Sequence, residues 1–62
     1  MELVKSKKLK DIECEILNYN ATELLLRVSN SKTNKKFESV MFKSPNFDDV
    51  DTELNRLIIK TM

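Results

Sequence analysis

Between positions 9 and 18 apolar and polar side chains alternate, with Ile12, Cys14 and Ile16 on one side and Asp11, Glu13, Glu15 and Leu17 on the other. A period of two with one apolar face marks a half-buried strand. Residues 22–29 repeat the alternation, placing Leu24, Leu26 and Val28 inward and Glu23, Leu25 and Arg27 outward. The same run could coil with Leu24, Leu25 and Val28 in a stripe, and Asn20 with Glu23 would then resemble a capping box. Its short length and the turn residues at both ends favour a strand.

A third strand is expected over 35–43, where the alternation is imperfect. Val40 and Phe42 share one side with Glu38, while Phe37 and Met41 share the other. Val40 and Phe42 are counted with the core, and Phe37 and Met41 with the outer face. Ser44-Pro45 ends this strand, because proline cannot donate to a ladder. Beyond it Phe47, Val50, Leu54, Leu57, Ile58 and Thr61 fall on one helical stripe. Asn46 is a suitable N-cap, or Ser44 if Pro45 opens the helix. Acidic residues early in the helix and Arg56 and Lys60 late in it complement its dipole.

Strand, strand, strand, helix in this order predicts an α+β fold. The expected architecture is a three-stranded antiparallel β-meander with one C-terminal α-helix on one face, a two-layer βββα domain over 9–62. Residues 1–8, charged and without periodicity beyond Leu3-Val4, read as a flexible basic arm or the frayed start of a strand.

Composition narrows the function. A chain of 62 residues makes one domain with a small core, so packing or a partner must supply stability. Thirteen core side chains are expected: Ile12, Cys14, Ile16, Leu24, Leu26, Val28, Val40, Phe42, Phe47, Val50, Leu54, Leu57 and Ile58. The sequence has no glycine, which excludes phosphate-cradling loops and dinucleotide fingerprints. It has no histidine, which excludes Ser-His-Asp and Cys-His catalysis. The single cysteine permits neither an internal disulfide nor a Cys/His zinc site.

Asp48, Asp49, Asp51 and Glu53 resemble part of a calcium loop, but the required glycine is missing and the segment reads as helix. No catalytic residue, cofactor, metal or small-molecule substrate is therefore expected, and a non-enzymatic role is. Cys14 lies between inward-facing isoleucines and reads as a core residue; the alternative is a reactive thiol sensor. Neither a signal peptide nor a membrane span is visible, and thiol usage fits a reducing compartment, so a cytoplasmic protein is expected. Lysine far outnumbers arginine, as in AT-rich coding sequences of bacteria and their phages.

Two surfaces remain. Leu17, Leu25, Phe37 and Met41, with Tyr19 at a hairpin tip, would form an apolar patch for a protein partner or a second copy. Lys5, Lys7, Lys8, Lys10, Arg27, Lys32, Lys35 and Lys36 could instead grip nucleic-acid phosphates. Against the second reading stand Glu13, Glu15 and Glu23 on the same sheet face and a net charge of only +1. A small stand-alone protein-binding module (a regulator, inhibitor or accessory factor) is the leading expectation, its partner another protein or a second copy met through the outer sheet face or an edge strand.

Overall fold

A computed structural model describes residues 1–43 and 47–62. Four strands and one helix follow in chain order: β1 (Glu2–Leu9), β2 (Ile12–Asn18), β3 (Glu23–Asn30), β4 (Lys35–Phe42) and α1 (Phe47–Thr61). The strands form one antiparallel sheet in sequence order, so β1 and β4 are its edges. The fold is α+β as expected, but the sheet has four strands, not three. The added strand is the segment expected to be an arm. Its lysines hid it from a search for apolar alternation, because every one of its residues is exposed and none belongs to the core cluster.

The segment at 22–29 is a strand, and the Asn20–Glu23 pair serves a turn instead of a helix. Asn20 Oδ1 accepts from the Thr22 and Glu23 amides at 2.9 and 2.8 Å, and its Nδ2 donates to Glu23 Oε1 at 2.9 Å. A side chain that mimics a backbone acceptor can fold such a bend without glycine. The other turns use positive φ on non-glycine residues, Lys10 at 52° and Asn34 at 58°. Asparagine adopts this region readily; lysine does so at a cost of about 1 kcal/mol.

The helix lies over β3 and β4. Cys14, Ile16, Leu26 and Val28 from the sheet pack with Val50, Leu54 and Leu57 from the helix, flanked by half-buried Ile12, Leu24, Met41 and Ile58. The expected helix residues Ser44, Pro45 and Asn46, and the side chains of Phe47 and Asp48, lie outside the described residues.

A polar clasp holds the helix end. The buried Asn30 side chain donates to the Thr61 carbonyl at 3.2 Å and accepts from the Lys32 and Thr33 amides at 2.9 and 3.3 Å. Thr33 Oγ1 donates to the same carbonyl at 2.6 Å. A helix C-terminus leaves carbonyls without intrahelical donors, and here the β3–β4 loop supplies them. Among the described residues no helix is long and apolar enough to cross a membrane.

Candidate protein-interaction face

Register decides which side chains share a surface. Residues directly opposite in an antiparallel ladder point to the same side. Asn30 faces Lys35 across the Ser31–Asn34 loop, so odd positions of β4 share a face with even positions of β3. Met41 therefore stands beside Leu24 and Phe37 beside Val28, on the helix side of the sheet. Val40 and Phe42 stand on the outer side. This reverses the expectation for all four residues. A one-residue change of register moves a strand's whole side-chain set to the other face. The sequence of β4, apolar on both faces, does not fix that choice; the four-residue loop does.

The outer face consists of cross-strand rows. Leu3, Leu17, Leu25 and Val40 form one apolar row across all four strands. Phe42 follows on β4, 73 % exposed, and Tyr19 stands exposed in the adjoining β2–β3 turn. Leu17 and Leu25 were expected to be exposed and are not: 9 % and 6 % of their surface reaches solvent. They occupy the two central strands, with Leu3 and Val40 on either side and a row of long charged side chains next along the strands. What reaches outward is Leu3, Val40 and Phe42 at the margins of this row.

The neighbouring row is Ser6, Glu15, Arg27 and Glu38. Arg27 Nε donates to Glu38 Oε2 at 2.9 Å, and its Nη1 lies 3.8 Å from Glu15 Oε1. Cross-strand ion pairs at this exposure contribute a few tenths to about 1 kcal/mol each. Their larger effect is to fix Arg27 between two carboxylates. The third row, Lys8, Glu13, Ser29 and Lys36, mixes signs again.

The lysines expected to grip phosphate do not share one surface. Lys8 and Lys36 are on the outer face, whereas Lys5, Lys7 and Lys35 stand on the helix side. Lys10 and Lys32 sit in the two loops at one end of the sheet, joined where the Ser31 amide donates to the Asp11 carbonyl at 2.9 Å.

On the helix side, a groove of about 250 Å³ runs between β1 and α1, lined by Lys5, Lys7, Cys14, Ile16, Leu54 and Ile58 among others. Cys14 forms its floor and is 2 % exposed. Burial pushes its thiol above the usual range, partly offset by the Lys7 charge. A raised thiol is protonated at neutral pH and a poor nucleophile, in keeping with a packing role. Among the described residues no three His, Cys, Asp or Glu side chains converge as metal ligands.

The two edges differ. β1 carries a bulge between Leu3 and Lys5 and three lysines, Lys5, Lys7 and Lys8. Bulges and lysines are the usual means of blocking edge-to-edge pairing. β4 runs eight residues in unbroken register, begins with Lys35 and Lys36, and carries exposed Phe37, Val40 and Phe42. Comparison with protein-family models, curated proteins and solved structures gave no match.

Proposed function

We propose that this chain is a small non-catalytic protein-binding module that presents its outer sheet face to a partner. One observation carries the reading: an apolar row spans the sheet face away from α1, which no described element covers, and ends in exposed Leu3, Val40 and Phe42, with Tyr19 beside it. Large apolar side chains grouped on a rigid sheet and rimmed by charge are the ordinary composition of an interface. The charges beside the row support protein over nucleic acid, since Arg27 is already held by Glu15 and Glu38. Acidic Glu13 and Glu15 on that face also repel phosphate.

The test uses exposed positions, so that folding is spared. Leu3→Ser and Phe42→Ser should leave the circular dichroism spectrum unchanged and abolish capture of the proteins retained from native extract by the unaltered chain. Equal capture by both variants would overturn the reading. Binding to random duplex DNA that falls steeply with salt would favour the phosphate-gripping alternative instead.

A further inference from the structure

We infer that the free edge of β4 pairs with β4 of a second copy, joining two sheets into one of eight strands centred on Phe37. This rests on the protein-binding reading and names one partner, the chain itself.

Three observations lead there. First, the backbone of β4 is set up for pairing. The Lys43 amide donates to the Thr22 carbonyl at 2.9 Å, so this pair is a hydrogen-bonded one. Hydrogen-bonded and non-bonded pairs alternate along an antiparallel ladder. Positions 35, 37, 39 and 41 therefore spend their amides and carbonyls on β3. Lys36, Glu38, Val40 and Phe42 direct theirs to the open edge. Secondly, the edges are defended unequally: β1 has a bulge and three lysines, while β4 is unbroken in register and its two lysines, Lys35 and Lys36, stand at one end.

Thirdly, the charges complement one another about a two-fold axis through Phe37. In that register Lys36 faces Glu38 of the second copy and Glu38 faces its Lys36. The charged row Glu15–Arg27–Glu38 then continues as Lys36–Ser29–Glu13–Lys8 of the other chain, alternating in sign across the junction. Glu38 holds Arg27 through Oε2, and its second oxygen meets the incoming lysine. On the helix side Phe37 meets Phe37 in a non-bonded pair, where side chains approach closely. Shifting the register by one step on each chain, to centre on Glu38, sets Glu38 against Glu38, which repels.

The helices fit this arrangement. Each lies over β3 and β4. Two strand spacings then separate their axes, roughly 10 Å, a normal distance for packed helices. The outer apolar rows stay open on both copies, so the dimer presents the proposed binding face twice.

Sedimentation equilibrium from micromolar to millimolar protein tests the inference. The unaltered chain should dimerise. Lys36→Glu should raise the dimer dissociation constant at least tenfold. So should Lys36→Pro, which removes an edge amide without touching the β3 ladder. Under mild oxidation Phe37→Cys should form a covalent dimer, whereas Ser39→Cys, about four residues or ~13 Å from its own symmetry mate, should not. A monomer at every concentration, a dimer indifferent to both Lys36 variants, or preferential cross-linking through Ser39→Cys would each overturn it. If the dimer fails while Phe42→Ser still abolishes partner capture, the edge pairing falls and the binding face stands.

Discussion

Replacing Asn30 by alanine removes the centre of the clasp that ties the β3–β4 loop to the end of α1. The side chain makes three hydrogen bonds, one donated to the Thr61 carbonyl and two accepted from the Lys32 and Thr33 amides. Each is worth about 1 kcal/mol net in a folded protein. The Thr61 carbonyl keeps the Thr33 hydroxyl, and water reaches part of the loop, which lowers the sum to about 2 kcal/mol. A chain of this length has roughly 3–9 kcal/mol of total stability, so the loss is a large share. The midpoint of thermal unfolding should fall by about 10–15 °C. Urea unfolding followed at the helical circular dichroism band measures it, with the slope against denaturant unchanged. Thr33→Val shares the Thr61 carbonyl with Asn30, so the double variant should depart from additivity by at least ~0.5 kcal/mol. A loss below about 0.5 kcal/mol for Asn30→Ala, or strict additivity, would show that the clasp does not anchor the helix.

Three further outcomes follow from single positions. Lys10 sits at positive φ in the two-residue β1–β2 turn, so Lys10→Gly should leave stability equal or raise it by up to ~1 kcal/mol, while Lys10→Val should lower it by at least ~1 kcal/mol; the reverse order in urea midpoints would contradict the turn geometry. The Cys14 thiol should react with a thiol reagent far more slowly in the native protein than in urea, and equal rates would place it at the surface. Glu53 is held below the usual carboxylate range by hydrogen bonding from Arg56, with Ser39 and the Arg56 and Lys60 charges assisting. A depressed folded-state value gives stability that is present above the ordinary glutamate range and lost as pH falls through the folded value. Glu53→Gln should therefore flatten the acid limb of the stability profile below the ordinary glutamate range, and an unchanged limb would assign the acid loss to other carboxylates.

The parts legible in the sequence were those where one face is apolar and the other polar. Ile12, Cys14 and Ile16, then Leu24, Leu26 and Val28, then Val50, Leu54 and Leu57 announce the buried layer by periodicity alone, and all nine pack together or against that cluster. β1 was not legible because none of its residues is buried: a strand held mainly by its backbone ladder, with Leu3, Val4 and Leu9 half exposed among lysines, leaves little periodic hydrophobic signal. The faces of β4 were not legible because both carry apolar residues, and the register that separates them is set by the length of the Ser31–Asn34 loop. The candidate site inherits these two gaps. Leu17, Leu25 and Tyr19 belong to it or border it, Phe37 and Met41 do not, and Leu3, Val40 and Phe42 replace them. Leu3 could be placed only once β1 was known to pair with β2, since its partner Leu17 is 14 positions away.

Because β1 is exposed along its length and α1 rests on β3 and β4, departure of that strand would leave the helix packing in place and uncover only the β2 margin of the apolar layer, at Cys14 and Ile16. Its departure surrenders a ladder of amide bonds yet returns little oily surface to water. The remaining three strands and helix keep their packing, while the first nine residues swing out on Lys10-Asp11 and bare the long side of β2. Such a partial opening lies below global unfolding in free energy, and amide exchange along Glu2–Leu9 would report it first. It would also be the route by which a reagent reaches Cys14, through a door hinged at the turn where lysine stands in place of glycine.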